Sequence, residues 1–172
     1  MLVDFTGKPY LESRKILAYS KRLNWRSKVL LGQYKDQLKG KRVLDLASHD
    51  GRFSYAALEY GASYALGIEG REESVADAKK NMAELDIDKS RYDFQVGELL
   101  EYLRTVEPGD FDVILCFGVF SHIISQFEVL SQIKRINPEL FILDTAVAKE
   151  PLLSGIRNKY VNYRLNRAID KA

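Results

Sequence analysis

Five short apolar runs, at residues 43–47, 64–69, 92–96, 111–117 and 140–144, alternate along the chain with stretches of helical periodicity. Each run has the length of a strand. Between them, apolar residues recur every three or four positions, in Phe53, Ala57 and Tyr60, in Val75, Ala78, Met82 and Leu85, in Leu99, Leu100 and Leu103, and in Ile124, Phe127, Leu130 and Ile133. Alternation of this kind requires crossover connections between parallel neighbours, and right-handed crossovers put helices on both faces of the sheet. The unbroken runs 113–117 and 140–143 suit strands buried on both sides. The expectation is an α/β fold with a doubly wound, mostly parallel Rossmann-like sheet of at least five strands. Ligands in such sheets bind beyond the carboxyl ends of the strands.

Around this core, taken as residues 41–150, lie two flanking segments. Residues 1–40 read as a helical extension of two helices, with Ile16, Tyr19 and Leu23 on the first and Leu30, Tyr34 and Leu38 on the second, closed by Lys39-Gly40-Lys41. Residues 151–172 read as a basic helix carrying Ile156, Tyr160, Tyr163 and Ile169, interrupted by Ser154-Gly155. The 172 residues, 46% of them hydrophobic, suffice for one well-buried core and not for two. Net charge is +2, but residues 1–42 carry +8, residues 43–150 carry −10 and residues 151–172 carry +4. Basic ends can neutralise nucleic-acid phosphates, and they are equally compatible with solvated helix faces. A single cysteine, Cys116, excludes an internal disulfide, and two distant histidines, His49 and His122, give no zinc spacing. With no long apolar run and no secretory leader pattern, a cytoplasmic protein without a membrane partner is expected.

The residues suggestive of chemistry fall where strands should end. They are Asp45 to Gly51 (Asp-Leu-Ala-Ser-His-Asp-Gly), Glu69 in Gly-Ile-Glu-Gly-Arg, Glu98 in Val-Gly-Glu-Leu, and Gly118 to His122 (Gly-Val-Phe-Ser-His). In this order and at these spacings, over roughly residues 41–145, the chain resembles the class I S-adenosylmethionine-dependent methyltransferases. A nicotinamide dinucleotide enzyme is the nearest rival. Its pyrophosphate requires a Gly-x-Gly-x-x-Gly turn and a positive helix terminus, whereas this first loop holds one glycine and the acids Asp45 and Asp50. Two carboxylates repel a pyrophosphate and suit a cationic sulfonium and ammonium.

The resemblance implies S-adenosylmethionine as cofactor and S-adenosylhomocysteine as product. Glu69, 24 positions beyond Asp45, is placed to accept from both ribose hydroxyls, the plain alternative being an exposed strand-terminal acid. Glu98 would lie near the adenine amino group with Leu99 on the ring, unless Glu98 is a first-turn helix acid. Asp45, Ala47, Ser48, Asp50 and Gly51 would surround the methionine moiety, with Gly70 and Phe117 completing the set. Ala47, Ser48 and His49 depart from the more glycine-rich family loop. Asp50 is also a candidate helix cap, and His49 a candidate solvent-facing side chain. His122 is the candidate general base beside Phe120 and Ser121, with a structural histidine as the alternative. Methyl transfer from a sulfonium depends chiefly on alignment, so a missing catalytic triad does not exclude an enzyme.

Only 28 residues follow Asp144, and their pattern does not suit the family's last two strands, so the expectation is either a minimal domain with a helix over the sheet edge or a shortened form of a longer protein. A sheet edge left open invites pairing. Cover by the carboxyl-terminal helix or a homo-oligomer contact is therefore expected. A small-molecule acceptor is expected first and RNA second. Tyr10, Tyr19, Trp25 and Tyr34 among basic residues could stack bases, or Trp25 and Tyr34 could simply pack a helix on the sheet. A non-catalytic cofactor-binding subunit of the same fold is the competing function.

Overall fold

The computed structural model describes residues 2–11 and 20–146 of the chain. Five strands, β1 (Arg42–Leu46), β2 (Tyr64–Glu69), β3 (Tyr92–Val96), β4 (Val113–Phe117) and β5 (Leu140–Asp144), form one parallel sheet in the order β3-β2-β1-β4-β5. All five lie where the apolar runs put them. Two ends differ: Ala47 lies past the end of β1 with a left-handed φ of 57°, and Phe111 packs into the core ahead of β4.

The helices are α1 (Ser20–Leu30), α2 (Lys35–Leu38), α3 (Arg52–Glu59), α4 (Glu72–Glu84), α5 (Leu99–Thr105) and α6 (Gln126–Ile136). Strand side chains alternate between two cores, as a pleated strand requires. Val43, Ala65, Phe94, Leu115 and Ile142 meet α1, α3 and α4 on one face. Leu44, Leu46, Ile68, Ile114 and Cys116 meet α5 and α6 on the other. Cys116 is fully buried, and burial pushes its thiol up to about 12, which makes it an inert core residue.

The second amino-terminal helix is shorter than the periodicity predicts. After Leu30 the chain tightens into a 3-10 turn at Gly32–Tyr34 before the single turn of α2. Gly32 passes close to Tyr60, whose hydroxyl would lie 3.1 Å from an added Cβ. The amino-terminal segment is not a separate layer: Phe5, Tyr10, Leu23, Leu31 and Leu38 are buried in the same core as α3 and α4. Trp25 stands 53% exposed and does not pack α1 on the sheet. On α6 the predicted apolar face is also displaced. Val129, Ile133 and Ile136 point inward, whereas Ile124, Phe127 and Leu130 are exposed. Ile16, Tyr19 and the helix expected over 151–172 lie outside the described residues. Among the described strands β3 and β5 are the edges, and no described helix is long and apolar enough to cross a membrane.

Strand order reverses between β1 and β4, which opens a crevice at the carboxyl end of the sheet. The ladders pair Leu46 with Ile68 and with Cys116, Glu69 with Val96, and Phe117 with Asp144. Carried one residue further, they align Val96, Glu69, Ala47, Phe117 and Asp144 in a single row across the rim. Gly67, one pleat below Glu69, has no room for a side chain. A Cβ there would collide with the Phe94 ring and stand 2.5 Å from the Ser48 hydroxyl oxygen. Gly67→Ala is expected to destabilise the protein by about 2–3 kcal/mol through overpacking, read as a Tm lower by roughly 5–10 °C.

Candidate functional site

The loop after β1 turns sharply because Ala47, His49 and Gly51 all take left-handed φ, at 57°, 54° and 79°. For the two non-glycine residues this costs about 1–2 kcal/mol each, so the loop must be held from outside. Its ties are visible. Ser48 N–H donates to the Ile68 carbonyl at 3.1 Å, Gly51 N–H to the Ser48 carbonyl at 3.0 Å, and His49 N–H to Oε2 of Glu69 at 3.0 Å. Gly51 is fixed in identity as well as conformation, since a Cβ would stand 2.7 Å from Phe94 and 3.2 Å from Ala78.

Glu69 is 6% exposed at the end of β2. Besides the His49 N–H it receives the Arg71 N–H at 3.2 Å and Arg71 Nε at 2.9 Å, both on Oε1. It is a buried junction between β2, the β1 loop and the start of α4, not an exposed strand-terminal acid. Gly70 beside it leaves open space, its nearest neighbour being the Gly97 carbonyl at 4.0 Å from an added Cβ.

The two acids of the first loop differ from each other. Asp45 points from β1 towards α3, is 2% exposed and accepts from the Ser54 hydroxyl at 2.7 Å. Burial pushes its carboxyl up to about 7, against the lowering effect of Ser54 and helped by the charges of Asp50 and Glu69. Asp50, 1% exposed, forms a buried pair with Arg52, which holds it through Nε at 2.6 Å and through Nη2. Burial alone would raise the Asp50 carboxyl, but the nearby His49 ring and the hydrogen bonds and charge of Arg52 outweigh it and keep it below the usual range. Asp50 does not cap α3, whose N-cap is Gly51 with no side-chain bond. His49 is not solvent-facing: its side chain is 16% exposed, Nδ1 stands 3.5 Å from Asp50, and neither ring nitrogen has a hydrogen-bond partner. The buried Ser48 hydroxyl likewise lacks one. Such unpartnered groups mark places where a ligand or water completes the set.

The remaining predicted residues spread along the rim. Glu98 is exposed and caps α5, accepting the Glu101 N–H at 2.8 Å, as the helix-acid alternative requires. Leu99 is buried beneath it in the second core. Phe117 closes β4 with its ring 5.0 Å from Phe53 in an edge-on contact. Phe120, Ser121 and His122 form a 3-10 turn beyond Gly118, and His122 is exposed there. No group of three or more acids, histidines and cysteines suited to a metal occurs among the described residues.

A pair that sequence reasoning missed completes the rim. Arg26 of α1 meets Asp144 at the end of β5 at 2.5 Å, with its guanidinium 4.9 Å above the Phe53 ring. The partners are 118 residues apart, and only the paired ladder of β4 and β5 brings them to one place.

The arrangement does not suit a dinucleotide. A pyrophosphate needs free backbone N–H groups in the first loop, and those of Ser48, His49 and Gly51 already donate within the protein.

Asp45 makes stability pH-dependent. A carboxyl raised from 3.8 to about 7 on folding contributes nothing adverse well below its unfolded value, at about pH 3 and under, where it is protonated in both states. Its penalty grows as pH rises towards 7 and is complete above it, reaching up to about 4 kcal/mol. Asp45→Asn keeps an acceptor for Ser54 and removes the charge. Denaturant melts should show the variant more stable than wild type at pH 8 and close to it at about pH 3.

Comparison with known proteins accords with this geometry. The family described as methyltransferase domain matches residues 37–171. The O-antigen chain terminator bifunctional methyltransferase/kinase of Escherichia coli is 32% identical over 120 residues, 66% of this chain and 16% of that protein. A ubiquinone biosynthesis O-methyltransferase of Neisseria meningitidis is 26% identical over 116 residues, 66% of this chain and 47% of its own. The chain thus spans less than half the length of either relative. Among solved structures, monomeric WbdD superposes with a TM-score of 0.63 at 23% identity, covering 85% of this chain and 36% of its own. A candidate RNA methyltransferase from Pyrococcus horikoshii superposes with a TM-score of 0.59 at 20% identity, covering 73% and 61%. The sheet order, the loop tied to a strand-end glutamate and the matched 37–171 segment agree: this chain belongs to the methyltransferase domain family and has its Rossmann-like class I fold.

Proposed function

We propose that the protein binds S-adenosylmethionine in the rim crevice and transfers its methyl group to an oxygen or nitrogen of a small molecule, with RNA as the second acceptor class. The observation that carries this reading is Glu69, a nearly buried carboxylate one strand from the β1 loop and hydrogen-bonded to that loop's backbone. A carboxylate fixed from behind offers its remaining lone pairs to a ribose diol in one orientation. Ser48 and His49, whose side-chain polar atoms lack partners, would meet the methionine end, on a loop that Gly51 lets pack closely on Phe94. Gly70 gives the nucleoside open space beside Glu69, and Glu98 and Leu99 stand at the adenine side. Asp45 supports this site from below without touching a ligand: it is buried against Ser54, and its charge adds to the field of Asp50 and Glu69.

When bound, S-adenosylmethionine supplies a methyl on a sulfonium, a leaving group that departs as a neutral thioether. The chain's own task is therefore to align and to exclude water. The loop is strained and multiply tied, so it is pre-organised for that task. His122, exposed after β4, is available to take an acceptor's proton.

A small molecule is favoured over RNA by the loss of a stacking candidate near the basic amino terminus, although Trp25 stays exposed. Tyr10 is fully buried, with its hydroxyl on the Met82 sulfur, and has no face to offer a base. Lys8 lies over the Tyr55 ring, 5.2 Å from its centroid. The O-methyltransferase among the relatives favours oxygen as the acceptor atom.

Calorimetry with S-adenosylhomocysteine tests the reading, and no saturable heat with the wild-type chain would reject it. Glu69→Ala should weaken binding by about 1.5–3 kcal/mol, as for hydrogen bonds to a charged group. Arg71→Ala should act in the opposite sense, because its guanidinium competes for Oε1. The competing pair is half exposed and worth at most about 1 kcal/mol, so affinity should rise by no more than roughly fivefold. Equal losses in both variants would mean that the Glu69–Arg71 pair is structural only.

A further inference from the structure

The row Glu69, Ala47, Phe117, Asp144 also says where an acceptor must approach. The side chains of Glu69, Phe117 and Asp144 lie on one face of the sheet, since Ala65, Leu115 and Ile142, an even number of residues earlier on each strand, share the core beneath α3. If the nucleoside is held at β2 and its amino-acid end over the β1 loop, the free side of the crevice is the one floored by β4 and β5. That side ends at Asp144, about 14 Å from Glu69 by three strand spacings.

The Arg26–Asp144 pair there is incomplete. Arg26 uses Nη2 on Asp144 Oδ2, and among the described residues Nε and Nη1 of Arg26 and Oδ1 of Asp144 make no hydrogen bond. The side chains are 22% and 17% exposed, so the open atoms are reachable yet mostly out of bulk water. Arg26 is held from behind by the Phe53 ring, itself seated on Phe117, and Gly118 N–H fixes the Asp144 carbonyl at 2.6 Å. Arg26 also lies outside the segment that matches the family, residues 37–171. It is supplied by α1, ahead of that segment.

Resting on the proposed donor site, we propose that the Arg26–Asp144 pair is the specificity determinant on the acceptor side, selecting an uncharged hydroxyl-bearing small molecule. A hydroxyl is at once a donor and an acceptor, and it matches a spare carboxylate oxygen beside spare guanidinium N–H groups. A phosphate or carboxylate meets Asp144 with like charge, and an ammonium meets Arg26 with like charge. Asp144 is the group that contacts the acceptor, and Arg26 is the positioning residue that holds it and anchors α1 across the rim.

The test uses the full chain as wild type, Asp144→Asn, Arg26→Ala and Arg26→Lys. Three quantities are read: S-adenosylhomocysteine affinity by calorimetry, amide hydrogen exchange over Ser20–Leu30, and labelled-methyl transfer from S-adenosylmethionine. The transfer is offered a low-mass fraction of cell extract and, separately, total RNA. Asp144→Asn is expected to leave homocysteine-nucleoside affinity within about twofold and α1 protection close to wild type, because Asn still accepts from Arg26. Its KM for the labelled low-mass acceptor should rise at least about tenfold, the loss of one charged hydrogen bond. Arg26→Ala should raise KM and also speed exchange over α1, and Arg26→Lys should restore part of both. Wild-type acceptor kinetics in Asp144→Asn would overturn the proposal. So would label entering RNA or charged acceptors only, or a wild type that binds S-adenosylhomocysteine but labels neither fraction. Failure of the donor site is distinct, since it would show as no calorimetric heat in any variant.

Discussion

The rim of this sheet depends on one carboxylate. Glu69 receives the His49 N–H from the β1 loop, and the N–H and guanidinium of Arg71 from the start of α4. The loop it holds contains two non-glycine residues in left-handed conformation, which alone would relax. Close packing below makes the junction possible: the absence of a Cβ at Gly67 lets Ser48 and Phe94 approach β2, and that absence at Gly51 lets Phe94 and Ala78 close from the other side. Relaxation of the loop would have to break the Glu69 bond or open the Phe94 contact. The crevice is therefore rigid where a methyl donor has to be aligned.

Counting acids overstates how negative this crevice is. Asp50 is neutralised by a buried arginine, Glu69 shares its charge with Arg71, and Asp45, with its carboxyl raised to about 7, is about half protonated at neutral pH. Exclusion of a pyrophosphate thus rests less on repulsion than on consumption of the loop's N–H groups by internal acceptors. A single cationic group entering near Asp45 would still be favoured, because Asp50 and Glu69 raise the cost of ionising Asp45 and a cation relieves it.

The sheet was legible in the sequence because its central strands, β4 above all, are buried on both faces and show as apolar runs, while the edge strand β3 shows only the alternation around buried Phe94. Strand-end residues were legible for the same reason, and Glu69 was found by its distance from Asp45. What local pattern could not reveal was which way a side chain turns after the strand stops. Ala47 looks like strand because it is apolar, but the loop needs a left-handed residue there. The stripe on α6 misled because apolar residues also occupy its outer side: Phe127 and Leu130 share the helical spacing of the core-facing Ile133 without sharing its burial, and Ile124 precedes the helix. Glu98 carries one sequence signal for two roles, and the capping bond to Glu101 is a choice made by local backbone geometry. Arg26 and Asp144 left no trace, as nothing at a separation of 118 residues records that two side chains meet.

That last gap has a structural reason. In a parallel sheet the strand ends are fixed by the ladder, so the donor side, built on β1, β2 and β3, follows from the core that makes the fold. The acceptor side is closed by whatever the chain lays across β4 and β5, here an amino-terminal helix buried through Leu23 and Leu30 and tied down by Arg26. Its attachment uses a cation over an aromatic ring and an ion pair, interactions of about 1 kcal/mol each that leave the sheet unaltered if replaced. These polar ties can be exchanged at small cost while Leu23 and Leu30 keep the helix packed in the core. Chains with this sheet can therefore share the methyl-donor end while differing in what they methylate.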